Sequence, residues 1–235
     1  MTKYLFFDLD DTLIQTQIYY NEVNNKTSIL VKESLHIPTS IDEIFQTMNT
    51  IDVERSITSG LDKERFPKSW VETFQYYASL FNVSISKEDE NAVYDSANSI
   101  FEHTLPVYPE TYQMLQDVST LGYEMNILTA GEDHVQRKRV REASLDSYFS
   151  NVFVVLKKNQ ETMKAIMAHR PLEDCIMIGN SLRSDIYPAL ENGMKAIHIQ
   201  RNTWSYDHYD IDTSHPNYIN IQSVHEIKDI IKKLG

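Results

Sequence analysis

Little in this chain of 235 residues could tie it to a membrane, an oxidising compartment or a polyanion. It has one cysteine, Cys175, so no intrachain disulfide can form, which fits a reducing cytosol. Only 6 glycines and 7 prolines occur, which argues against long flexible linkers. No apolar run approaches the ~18 residues that a membrane span requires. The N-terminus enters a short strand-like run ending in acids, without the basic start and longer apolar stretch of a secretory leader. A cytoplasmic protein is therefore expected. Basic charge is also scarce: 22 Lys and Arg against 34 Asp and Glu leave a net charge of −12. Such a chain repels phosphate backbones, so no nucleic-acid partner is expected. The same charge would oppose a phosphorylated small molecule unless a local cation inverts the field at its site.

What is present reads as an ordinary globular protein, 41% hydrophobic and 24% charged. Short apolar runs predict buried strands at Tyr4–Phe7, Met125–Leu128, Val152–Leu156, Cys175–Ile178 and Ala196–Ile199. Beyond residue 105 they alternate with helical patterns at Glu110–Thr120, Val135–Ala143, Glu161–His169, Asp185–Asn192 and Val224–Leu234. Strand–helix alternation predicts an α/β fold, a doubly wound, mainly parallel sheet covered on both faces. Residues 15–105 break this rhythm. They show helical spacing, as in "SWVETFQYYASLF" and "DENAVYDSANSIF". A crossover needs only about a dozen residues, so this stretch reads as an inserted helical domain over one end of the sheet.

The stretch "YLFFDLDDT" raises the functional question: a buried strand runs straight into Asp8, Asp10 and Asp11. In open α/β sheets, ligands bind beyond the carboxyl ends of the strands. Asp8, Asp10, Asp11 and Thr12 follow the first run. Thr129, Ala130 and Gly131 follow the second, and Lys157 and Lys158 the third. Gly179, Asn180, Ser181, Ser184 and Asp185 follow the fourth. A single acid beyond a strand is an ordinary turn former. Carboxylates, a hydroxyl and an ammonium gathered at one sheet edge suit phosphoryl transfer. A carboxylate can take the phosphoryl group as an acyl phosphate. A second carboxyl can move protons. A lysine and a hydroxyl can hold the phosphate oxygens, and Mg²⁺ can screen two anions from each other.

"DLDDT" at 8–12, Thr129 in "ILTAG", Lys158 in "LKKNQET" and "GNSLRSD" at 179–185 occur in order at four strand ends. In this the chain resembles the haloacid dehalogenase-like (HAD) hydrolase superfamily, and specifically its small-molecule phosphatases. The resemblance covers nearly the whole chain. It implies a Rossmann-like α/β catalytic core from 1–14 and 106–235 and a helical cap from 15–105. It implies a Mg²⁺-dependent phosphatase acting on a small phosphorylated metabolite. Asp8 would be the nucleophile and a metal ligand. Asp10 would be the general acid and base, with its carbonyl on the metal. Thr129, Ala130 and Lys158 would bind the phosphate, with Lys158 preferred to Lys157 from its place before "NQET". Asp185 would be the downstream metal ligand. One departure stands out: the last motif commonly opens Gly-Asp but here reads Gly179-Asn180. Asn180 still offers an oxygen beside the metal, with one negative charge fewer.

Several residues have plainer readings. Asp11 caps the following turn, and Thr12 bonds the turn backbone. The basic residues of "EDHVQRKRV" form a solvated helix face. Cys175 is a small core hydrophobe, and His134 and His198 are surface or core histidines. Gln15, Thr16, Tyr19, Tyr20, Arg55, Trp70, Tyr76 and Tyr77 are candidates for substrate selection, against the alternative that the aromatics simply pack helices. Rival functions are a phosphomutase, a metal-free dehalogenase, a phosphorylated receiver module and a non-catalytic phosphate-binding protein. The second acid, Asp10, argues against the dehalogenase, and the chain length against the receiver.

Overall fold

The structure is a computed structural model that describes residues 3–201 and 203–234. The chain divides into two compact units: one holds the residues up to Gln17 and those from Leu105 onward, the other Ile18–Thr104.

The first unit is built on a six-stranded sheet: β1 (Tyr4–Phe7), β2 (Glu124–Ala130), β3 (Asn151–Val155), β4 (Cys175–Gly179), β5 (Lys195–Ile199) and β6 (Tyr218–Ile221). Their order is β3-β2-β1-β4-β5-β6, all parallel, so the strand order reverses about central β1. The expected doubly wound α/β architecture is present. One register row crosses the whole sheet through Val152, Ile127, Phe7, Ile178, Ile197 and Ile219. The next residue after Phe7 is Asp8, whose N–H donates to Ile178 O at 2.9 Å. That row therefore fixes where the functional loops begin.

The strands are short and apolar because both faces are covered. On one face Phe6, Leu128, Met177 and Ala196 pack with Met163, Met167, Ile186 and Ala189 from the crossing segments. Cys175 lies in this cluster, and burial pushes its thiol up to about 12, so it behaves as the core hydrophobe expected.

The second unit is helical, comprising most of α1 (Gln17–Leu35), then α2 (Ile41–Ser59), α3 (Arg65–Leu80) and α4 (Lys87–Asn98). Ser40 and Ser86 start α2 and α4 through reciprocal bonds with Glu43 and Asp89, which satisfy otherwise orphaned N–H groups. Trp70, Phe74, Ile44, Val31, Val93 and Ile100 form its own core. Within it, Asp52 and Arg65 make a buried ion pair. Among the described residues the remaining α-helices of the first unit are α5 (Thr111–Ser119), α6 (Asp133–Glu142), α7 (Gln160–Ile166), α8 (Tyr187–Glu191) and α9 (Ile227–Leu234). Among the described residues no helix is long and apolar enough to cross a membrane.

Candidate active site

The loop after β1 folds back on itself. Leu9 O accepts from the N–H groups of Leu13 and Ile14 at 2.9 and 3.1 Å. Asp11 takes a positive φ of 55°, a conformation that Asp tolerates better than most residues. Its carboxylate accepts the N–H groups of Thr16 and Gln17 at 2.8 and 2.9 Å. Asp11 is thus the turn cap, as its plainer reading holds. Burial raises its pKa to about 6, against those two N–H bonds.

Asp8 and Asp10, two residues apart, are left at the sheet edge, and Lys158 meets the first of them. The Lys158 Nζ donates to Asp8 Oδ1 at 2.5 Å, to Asp185 Oδ1, and to Leu128 O at 3.4 Å. All three charged groups are buried. Burial opposes the ammonium, yet Asp185 and then Asp8 outweigh it and hold Lys158 above the ordinary lysine value. Burial and the Asp185 charge push Asp8 up to about 7 against the pull of Lys158. Of the two adjacent lysines, Lys158 is the one beside Asp8. Asn159 fixes the segment by capping α7, accepting from the Thr162 N–H at 2.8 Å.

Asp185 is held from both ends. Its Oδ1 takes Lys158, and its Oδ2 accepts the Ser181 N–H at 3.0 Å. It sits against Gly179 so closely that a Cβ on that glycine would lie 2.3 Å from Asp185 Oδ2. Only glycine fits there. Both carboxylate oxygens of the acid expected as downstream metal ligand are therefore engaged within the protein.

Asn180 stands nearer the reactive pair. Its Oδ1 lies 3.1 Å from Thr12 Oγ1, which also reaches Asp8 Oδ2 at 3.0 Å. The same oxygen lies 3.3 Å from Asp8 Oδ2 and 3.1 Å from Asp10 O. Thr12 thus serves side chains rather than the turn backbone assigned to it from sequence. Adjacent ligands of an octahedral Mg²⁺ stand about 3 Å apart. A carboxylate, a backbone carbonyl and an amide oxygen at that spacing fit a hard cation. The reversed amide is better satisfied, with Nδ2 donating to Asp8 Oδ2 at 3.3 Å and to Asp10 O and Thr12 Oγ1 at 3.1 Å. Among the described residues no group of three or more His, Cys, Asp or Glu is arranged to hold a metal. A cation here would depend on the carbonyl and the amide.

On the other side, Thr129 Oγ1 is buried at the end of β2 and accepts from Gln136 Nε2 at 2.6 Å. Ala130 O accepts from the same amide at 3.3 Å. Gln136 Nε2 also reaches Asp10 Oδ2 at 2.7 Å, and Arg139 Nη1 reaches Asp10 Oδ1 at 2.9 Å. Gln136 and Arg139 are buried on α6. The solvated-face reading of "EDHVQRKRV" is corrected there, and it holds only for its outer residues. Arg137 pairs with Asp133 and Lys138 with Glu142 at the surface.

Two further residues escaped sequence reasoning. Asp207, pushed up to about 6 by burial, is hydrogen-bonded to the Ser181 side chain. Arg183 pins its loop, donating to Tyr206 O at 2.5 Å and stacking on the Tyr209 ring. His198 lies beneath, its Nε2 3.1 Å from Asn180 O and its Nδ1 3.0 Å from Tyr218 Oη, a core histidine that props the loop.

Of the residues considered for substrate selection, Thr16 donates to Asp10 Oδ1 at 3.0 Å, and the Gln15 side chain reaches Val107 O at 3.5 Å. In the helical unit, Trp70 is fully buried, Tyr77 bonds Glu43 O, Tyr20 packs edge-on against Phe66, and Tyr19 lies by His103. Arg55 pairs with Glu72. Tyr76 alone among these aromatics is largely exposed, at 51%.

The sequence profile of the haloacid dehalogenase-like hydrolases matches residues 2–193. The chain belongs to the HAD-like hydrolase family. A glyceraldehyde 3-phosphate phosphatase of Methanocaldococcus jannaschii is 22% identical over 246 residues, covering 100% of this chain and 99% of the relative. A HAD-like hydrolase from Xanthomonas campestris superposes with a TM-score of 0.81 at 20% identity, covering 99% of this chain and 91% of the other. The HAD hydrolase YfnB from Bacillus subtilis, solved bound to magnesium, superposes with a TM-score of 0.67 at 19% identity over 98% of both chains.

Proposed function

We propose that this HAD-like hydrolase is a phosphatase of small phosphate monoesters that works through a phospho-Asp8 intermediate. The observation that carries the reading is the buried contact between Asp8 and Lys158, with Thr129 and Asp10 at the same sheet edge. An Asp8 oxygen attacks phosphorus and the ester oxygen leaves. Asp10 supplies the proton to that oxygen, then takes one from the water that cleaves the acyl phosphate. Lys158, Thr129 and the Ala130 turn hold the transferring phosphate oxygens, where preorganised charge contributes most.

Asp8 Oδ2, Asp10 O and Asn180 Oδ1 would hold Mg²⁺, with Asp185 behind as the anchor of Lys158. When bound, the ion screens the carboxylate from the incoming phosphate dianion. The activity that names the relative favours a short-chain sugar phosphate, glyceraldehyde 3-phosphate foremost, as substrate. The lone buried thiol agrees with a cytoplasmic setting.

The test is phosphate release from p-nitrophenyl phosphate, glyceraldehyde 3-phosphate, other sugar phosphates and nucleotides, with Mg²⁺, with chelator and with Asp8→Asn. Metal-dependent turnover that Asp8→Asn abolishes is expected. Turnover that survives Asp8→Asn would overturn the covalent route. No turnover anywhere by the folded, Mg²⁺-loaded protein would overturn the phosphatase reading.

A further inference from the structure

We infer that Gln136 and Arg139 are positioning residues that fix the carboxyl of Asp10 for proton transfer, an inference that rests on the phosphatase reading above. Three side chains grip the two Asp10 oxygens. Arg139 Nη1 and Thr16 Oγ1 donate to Oδ1 at 2.9 and 3.0 Å, and Gln136 Nε2 donates to Oδ2 at 2.7 Å. The two α6 residues also brace each other: Arg139 Nη1 donates to Gln136 Oε1 at 3.0 Å.

Gln136 bonds Thr129 Oγ1 at 2.6 Å as well, so one amide ties the proton carrier to the phosphate-binding hydroxyl. The topology explains how. β2 ends at Ala130, and α6 begins three residues later, so its first turns lie against the same sheet edge. Positions three apart on a helix share a face, which turns Gln136 and Arg139 together onto Asp10. Gly131 keeps the turn open: with φ 150°, a Cβ there would come within 3.1 Å of the Gln136 side chain. A planar guanidinium and a planar amide bonded to opposite oxygens set the plane of the carboxyl as well as its place. A proton carrier needs that orientation, because transfer depends on hydrogen-bond geometry at the ester oxygen.

The distinguishing readout is the leaving group. p-Nitrophenolate departs without a proton at neutral pH, whereas phenolate and p-methoxyphenolate need one. Hydrolysis of a series of substituted phenyl phosphates is measured for wild type, Arg139→Met, Arg139→Lys, Gln136→Leu and Asp10→Asn. Arg139→Met and Gln136→Leu are expected to lose roughly 10- to 100-fold in kcat/KM on p-methoxyphenyl phosphate, part of what a general acid supplies. On p-nitrophenyl phosphate they should lose far less, so the dependence on leaving-group basicity steepens. Arg139→Lys should recover part of the loss. Adding Arg139→Met to Asp10→Asn should cost nothing more, because the arginine acts through the aspartate.

Equal losses across the series would mean a purely structural role and would overturn the inference while leaving the phosphatase reading intact. So would a full additional loss in the double variant. If Arg139→Met fails to fold, Gln136→Leu carries the same readout. A wild type inert on every ester would overturn both readings together.

Discussion

Replacing Asn180 by Asp tests whether the amide occupies a cation's place. One terminal atom of the Asn180 amide lies 3.3 Å from Asp8 Oδ2 and 3.1 Å from Asp10 O. A carboxylate there would bring two unit charges to that separation. At an effective dielectric constant of about 20 their repulsion is about 5 kcal/mol, and in bulk water about 1 kcal/mol. The metal-free protein should therefore lose about 1–5 kcal/mol of stability at alkaline pH. For a chain of this size, each kcal/mol lowers Tm by about 2–4 °C.

A divalent cation bound among the three oxygens removes the same repulsion, so its affinity should rise by a comparable amount, at least about fivefold. Thermal unfolding of wild type and Asn180→Asp, each with chelator and with saturating MgCl₂, reads both halves. The variant should start lower in chelator and gain more from Mg²⁺. Titration calorimetry gives the affinity directly. A variant with the wild-type Tm in chelator and wild-type Mg²⁺ affinity would refute the placement of the amide. One that binds Mg²⁺ more weakly would refute the charge argument as well.

Other outcomes follow from the same cluster. Lys158→Met leaves Asp8 and Asp185 facing each other without their shared cation, and should cost about 3–5 kcal/mol in urea unfolding. It should also abolish phosphate release. Gly179→Ala would place a methyl 2.3 Å from Asp185 Oδ2. It should cut kcat by displacing the anchor of Lys158, and an unchanged kcat would mean that the turn moves freely. Stability in chelator should fall as pH rises. Asp8, Asp11 and Asp207 are held at about 7, about 6 and about 6, each above the ordinary 3.8. The folded chain then binds more protons than the unfolded one between those limits, so the penalty is absent below 3.8, grows through the window and is complete above about 7. Urea midpoints at pH 5 and pH 8 check the sign, and a higher midpoint at pH 8 would reverse it.

The sheet was legible where strands are buried on both faces. β1 and β4 are unbroken apolar runs because they lie in the middle of the sheet, and each ends in the polar residues that mark a strand's carboxyl end. β6 was not legible. "YINI" is a four-residue edge strand, mostly half-exposed, and offers no continuous run to detect. The expected helix over Asp185–Asn192 is divided. Leu182–Ile186 form a π-helical turn, with Ser181 Oγ accepting the Ser184 N–H at 3.0 Å, and α8 starts only afterwards with Pro188 in its first turn. That wide turn carries Asp185 back onto Lys158, a placement that spacing in the sequence does not convey.

The candidate site divides along the same line. Residue types at strand ends were readable because the topology delivers them to one edge. Their partners were not, since partnership depends on which oxygen faces which donor. Gln136 and Arg139 show where a signal existed and was misread. Val135, Gln136, Arg139 and Val140 make one buried stripe on α6, but two of the four are polar, so the helix resembles a solvated one. A glutamine and an arginine on the inward face of a helix that starts at a site turn must find buried partners, because an unpaired buried charge is costly. Asp10 is the acid within reach. Asn180 is the complementary case. Its identity was visible as a departure from the family pattern, yet its effect on a cation turns on which end of the amide faces Asp8 and Asp10, which spacing in the sequence does not convey. At 3.3 and 3.1 Å that end is placed either to donate Nδ2 to both oxygens or to share a cation with them, and the Asn180→Asp comparison above separates the two.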